Sequence, residues 1–141
     1  MKKKEQLDKL KEIVQQQKEL ERQAIRLSAP DVKGAEIINL ISLWCDQYCQ
    51  MKKSDSIPIK TRRMKLYAVL AFVCPIALVG GRLSKGLRMM LSTIIFTGHK
   101  ATVISSDIAY VVFCYEHYAN VREELDELVS FIEKKIVRHV S

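Results

Sequence analysis

Residues 102–118 read TVISSDIAYVVFCYEHY, and whether they form a strand or a helix decides the fold class. Val103, Ile104, Val111 and Val112 are β-branched and favour a pleated surface. Against that, Ile104, Ile108, Val111 or Val112, and Tyr115 recur at spacings of three and four, which put them on one face of a helix and on both faces of a strand. The same stripe runs on through Val121, Leu125, Leu128, Ile132 and Ile136. The spacing therefore predicts a helical region from near Thr102 toward Val137, with Asn120 a candidate bend. Acids come early in its second part (Glu123, Glu124, Asp126, Glu127) and bases late (Lys134, Lys135, Arg138), the order that complements a helix dipole.

Working upstream, Gly98 within Thr97-Gly98-His99-Lys100 suits the left-handed residue that follows a helix. Before it, a helix over residues 85–96 is expected, capped by Ser84 and burying Leu87, Met90, Leu91 and Ile94 or Ile95. Residues 66–81 carry no charge, which raises the question of a membrane span. They number 16, contain Pro75 and end in Gly80-Gly81, whereas a span needs about 20 apolar residues. A buried helix ending near Cys74, followed by a tight apolar loop, fits better, with Met64, Tyr67 or Ala68, Ala71 and Phe72 facing inward.

Further upstream, the polar residues 54–58 read as a linker. Ile37, Ile41, Trp44, Tyr48 and Met51 mark a helix of about 20 residues, with Asp31 after Pro30 as its expected N-cap. Leu10, Ile13, Gln17, Leu20, Ala24 and Leu27 follow spacings of 3, 4, 3, 4 and 3, the seam of a short coiled coil. Residues 1–28 are thus expected to form a projecting amphipathic helix. It would pack on its own body, on a partner helix or on a second copy in a homodimer, through Leu10, Ile13, Leu20 and Leu27. Residues 29–141 form the helical domain, so the whole is an all-α, small helical bundle.

The charge is unevenly distributed. The 141 residues carry +7 overall; residues 1–28 hold +3, residues 29–60 balance, residues 61–100 hold +7 and residues 101–141 hold −3. The basic centre contains Arg62, Arg63, Lys65, Arg82, Lys85, Arg88 and Lys100 and no acid. Such a segment attracts polyanions. The helix, Gly-containing turn and second helix over residues 82–118 have the layout of a helix-turn-helix unit. Around the turn His99, Lys100, Thr102, Ser105 and Ser106, with Thr97, supply short donors and acceptors suited to phosphates. Together with the seven bases they form the expected surface for double-stranded DNA. The start of the second helix has no Arg, Asn or Gln in its first two turns, the usual readers of base edges.

Other chemistry finds little support. Cys45 and Cys49 are one helical turn apart, but Cys74, Cys114, His99 and His117 lie in scattered segments without zinc-site spacing. Cys114 and His117 share a helix face without an orienting carboxylate or amide, so nucleophilic catalysis is not expected. Tyr110, Phe113, Tyr115 and Tyr118 could stack on single-stranded bases, though such spacing is usual for a core face. Neither a cofactor nor an enzymatic activity is expected. The opening Met1-Lys2-Lys3-Lys4 runs into polar residues and not an apolar segment, so with its cysteines reduced the chain is expected in the cytoplasm.

The strings Cys74-Pro75, Gly81-Arg82-Leu83-Ser84-Lys85-Gly86-Leu87-Arg88, Ile104-Ser105 and Val112-Phe113-Cys114-Tyr115-Glu116-His117-Tyr118 resemble small uncharacterised helical proteins of bacterial mobile elements. More loosely, they are similar to compact helix-turn-helix regulators of phages. The resemblance covers roughly residues 62–136 and implies a regulatory, DNA-binding role without a catalytic motif.

Overall fold

The computed structural model describes residues 2–27, 34–52 and 57–140, and every regular element among them is helical. In order these are α1 (Lys3–Leu27), α2 (Ala35–Met51), α3 (Pro58–Val73), a short 3-10 helix (Pro75–Val79), α4 (Leu87–Ile94), α5 (Thr102–His117) and α6 (Ala119–Val140). The protein is an all-α bundle. None of its described helices is long and apolar enough to cross a membrane.

The uncharged run that raised the membrane question is the centre of the bundle. Met64, Leu66, Ala68, Val69, Leu70 and Phe72 are all buried, on more than one face of α3. A helix apolar on several sides must be enclosed, and α2, α5, α6 and the 3-10 helix surround it. α3 stops where Pro75 bars the α conformation for Cys74, whose ψ is 66°. The 3-10 helix then closes on Gly80, which is left-handed with φ 94°. Gly81 donates its backbone N–H to Ile76 O at 2.8 Å.

α6 buries Leu125, Leu128, Ile132 and Ile136 along the anticipated stripe. On α2 the buried set is Ile37, Ile38, Ile41, Cys45 and Tyr48; Trp44 is half-buried and Met51, expected inside, is exposed. The helical region after Thr102 is interrupted close to the bend expected at Asn120 and forms two helices. Tyr118 is extended (φ −122°, ψ 111°), so the break comes before Asn120 and lets α6 fold back along α3 and α5. α4 is also shorter than expected, because Gly86 is left-handed (φ 84°) and delays the helix to Leu87. Ser84 does not cap it; its hydroxyl donates to Cys74 Sγ at 3.3 Å. Gly98 takes the left-handed conformation expected of it (φ 83°).

α1 differs from the rest. Each side chain from Lys3 to Gln23 is exposed, and Leu7, Leu10, Ile13, Val14 and Leu20 expose between 46% and 63% of their surface. The expected cap Asp31, most of the linker 54–58 and the side chain of Leu27 lie outside the described residues.

Candidate anion-binding face

Between Asp55 and Glu116 the sequence contains one acid, Asp107 on α5. The structure buries it, at 2% exposure, under the first turns of α3. Arg62 Nε donates to Asp107 Oδ2 at 2.7 Å and Arg63 Nε donates to Oδ1 at 3.3 Å. Two guanidiniums on one carboxylate leave a local excess of one positive charge. Each arginine also covers an aromatic ring, Arg62 over Phe96 at 5.3 Å and Arg63 over Tyr110 at 3.9 Å. Lys65 pairs with Asp46 of α2 at 3.0 Å. Three of the seven central bases therefore hold α3 to α5 and α2, which is a different task from the open DNA contacts expected of them.

The two basic clusters nevertheless meet. Arg62 Nη1 lies 3.4 Å from His99 Nε2, in the connection between α4 and α5. From the other side, Arg88 Nη1 of α4 donates to Ala101 O at 3.2 Å. The connection is thus bracketed by two guanidiniums, with Lys100 exposed between their contact points. Among the described residues no ion pair engages Arg82, Lys85, Arg88 or Lys100. All four are exposed.

Two grooves flank this connection. One, of about 650 Å³, is bordered by Thr61, Arg62, Lys65, Ile94, Ile95 and His99. The other, of about 610 Å³, is bordered by Gly80, Gly81, Arg82, Ser84, Arg88 and Ser105, with Ile108, Ala109 and Val112 as an apolar wall. Of the expected hydroxyl donors, Ser105 faces the second groove. Thr97 and Ser106 instead bond to carbonyls of their own segment, Thr93 O at 2.6 Å and Thr102 O at 3.3 Å. Thr102 is exposed at the start of α5. Sequence reasoning missed Ser84 and the Gly80-Gly81 wall as site elements; an adjacent glycine pair after an apolar run was their only signal.

A third groove, of about 340 Å³, lies between Ile57, Ile59, Tyr110, Cys114, Val121 and Leu125. The aromatic group beside it is largely engaged within the protein. Tyr115 stacks on Tyr67 at 5.4 Å and donates to Asp126 at 2.7 Å, and Phe113 stacks on His117 at 4.1 Å. His117 Nδ1 lies 2.9 Å from Phe113 O on its own helix, while Cys114 is buried. Cys45, next to Cys49, is also buried, and burial pushes its thiol well above the ordinary range. Among the described residues no group of three or more His, Cys, Asp and Glu is placed to hold a metal ion. Comparison with family models, with curated proteins and with solved structures found no match to this chain.

Proposed function

We propose that the protein is a non-enzymatic DNA-binding protein that grips the phosphate backbone of a duplex with the face around residues 95–101. One observation carries this. The sole acid of residues 56–115 is withdrawn beneath two arginines, so the exposed Arg82, Lys85, Arg88 and Lys100 have no carboxylate of their own segment to repel phosphates. Arg62 and His99 border the same face, and Thr102 and Ser105 add short hydroxyls. The first two turns of α5 lack Arg, Asn and Gln, so affinity comes from the backbone and tolerates sequence. A regulatory role in transcription or in a mobile element follows from the resemblance of residues 62–136.

The test is a titration of labelled duplex at two salt concentrations. Four phosphate contacts give a log–log slope of about −3.6, or roughly a hundredfold loss of affinity over a fourfold rise in salt. The double variant Arg88→Glu/Lys100→Glu abolishes binding while its circular dichroism stays native. Absence of binding at low salt, or an affinity indifferent to that variant, refutes the proposal.

A second reading has its own support. The exposed stripe Leu7, Leu10, Ile13, Val14 and Leu20 gives α1 the surface of a helix that pairs with another helix. In this reading α1 joins a second copy or an adaptor partner. Light scattering of the chain and of Leu10→Glu/Ile13→Glu tests self-association; a monomer mass for the parent chain excludes the homodimer, and a dimer mass for both excludes α1 as its contact.

A further inference from the structure

The groove between the Gly80-Gly81 turn, α4 and α5 combines features that a bare phosphate grip does not need. Arg82, Arg88 and Ser105 border it, and Ile108, Ala109 and Val112 of α5 form an apolar wall. From Ser105 to Val112 the helix rises about 10 Å, enough for an anionic head and a short alkyl chain. No acid borders the groove, and Asp107, the neighbour of Ile108, is turned into the core beneath Arg62 and Arg63.

The backbone that carries Arg82 is held in place before any ligand arrives. Gly81 N–H is bonded to Ile76 O, and a Cβ on Gly81 would stand 2.6 Å from Ile76 Cγ1 and 2.9 Å from Ile76 O, so the turn packs directly on the 3-10 helix. Cys74 Sγ donates to Arg82 O at 3.7 Å and accepts from the Ser84 hydroxyl at 3.3 Å. Arg88 spends one N–H on Ala101 O, and a guanidinium carries five. Donors on a braced turn beside an apolar wall suit a ligand with the same two halves.

We infer that this groove binds a small amphipathic anion, a phosphate or carboxylate carrying a short aliphatic chain. The head lies against Arg82, Arg88 and Ser105, and the chain lies along Ile108 and Val112. Binding itself is independent of nucleic acid. Its consequence, loss of duplex affinity when the ligand covers Arg82 and Arg88, rests on the DNA-binding proposal above.

Octyl phosphate below its micelle concentration is the probe, titrated by calorimetry into the full chain without nucleic acid. Inorganic phosphate, octanol and vesicles containing phosphatidic acid form the other arms. Octyl phosphate is expected to bind at least tenfold more tightly than inorganic phosphate or octanol. Arg82→Ala costs about tenfold. Ala109→Glu, an exposed and helix-compatible change, abolishes binding while the melting temperature stays native. Equal affinity for octyl phosphate and either half-ligand overturns the inference. So does indifference to both variants, or binding to vesicles without binding to free octyl phosphate. If octyl phosphate binds and duplex does not, the groove stands and the DNA proposal falls.

Discussion

Arg62 Nε and Asp107 Oδ2 are 2.7 Å apart, with the arginine side chain 14% exposed and the carboxylate 3% exposed. Forty-five positions separate them in sequence. The bond fastens the start of α3 to α5, and Arg63 reinforces it from the same helix. Removing one partner of a buried ion pair leaves the other charge without compensation, which costs about 3–5 kcal/mol. Asp107→Asn keeps the shape and loses the charge, so it is expected to lower stability by about 3 kcal/mol. Urea unfolding of the variant measures this. A midpoint equal to that of the parent would mean that Asp107 does not anchor α3.

The same pairing sorts the basic residues into two groups. Each of Arg82, Lys85 and Lys100, replaced singly by Ala, is expected to reduce the magnitude of the salt slope for duplex binding by about 0.9 and to leave the melting temperature within a degree or two. Lys65→Ala is expected to do the reverse. Lys65 is engaged by Asp46 at 3.0 Å, so its loss touches the α2–α3 contact and not the slope. A reduction in slope at Lys65 as large as at Lys100 would contradict this division of labour.

Much of the architecture was legible in residue order. The α6 stripe, the stop of α3 before Pro75 and the left-handed Gly98 each depend on neighbours within a few positions, and local chemistry decides them. The fate of Arg62 and Arg63 was not legible, because their partner lies on another helix and sequence spacing carries no information about such a contact. One hint was present: a lone aspartate in a long acid-free run on a half-apolar helix is costly unless paired. The bend expected at Asn120 falls two residues earlier, at Tyr118, which is not itself a breaker. α6 turns there so that Leu125 and Leu128 reach the core, a requirement of packing and not of propensity.

Alkaline pH should unfold the protein through the buried Tyr48 and Cys45 and the half-buried Tyr67. Burial, with Glu127 nearby, pushes Tyr48 up to about 12, and burial beside Tyr115 raises Tyr67 as well. Burial next to Cys49 raises Cys45 from an ordinary value of 9.0. In the unfolded chain these groups lose their protons from about pH 9 to 10 upward, while the folded protein keeps them. The unfolded state then binds fewer protons, so stability falls as pH rises. Stability is expected to be fully present below pH 9 and to decline steadily from there toward pH 12. Tyr67→Phe removes one contribution and flattens the decline, measured as urea midpoint against pH. An unchanged slope in that variant would show that Tyr67 is not held protonated by the fold.

Deleting residues 1–27 separates the two functional readings without disturbing the bundle. Lys3 to Gln23 are exposed throughout, so their removal takes no core surface from α2–α6, and the melting temperature is expected to stay within a few degrees of the parent. The deleted segment carries +3 of the +7 charge, yet none of Arg82, Lys85, Arg88 or Lys100. A backbone-gripping protein therefore keeps salt-dependent duplex binding after the deletion. Its apparent affinity falls if α1 held two copies together, because a linked pair gains from the effective concentration of its second site. An adaptor loses its partner altogether. Duplex binding that vanishes with α1 while the bundle stays folded would move the nucleic-acid contact from the α4–α5 connection to the basic N-terminal helix.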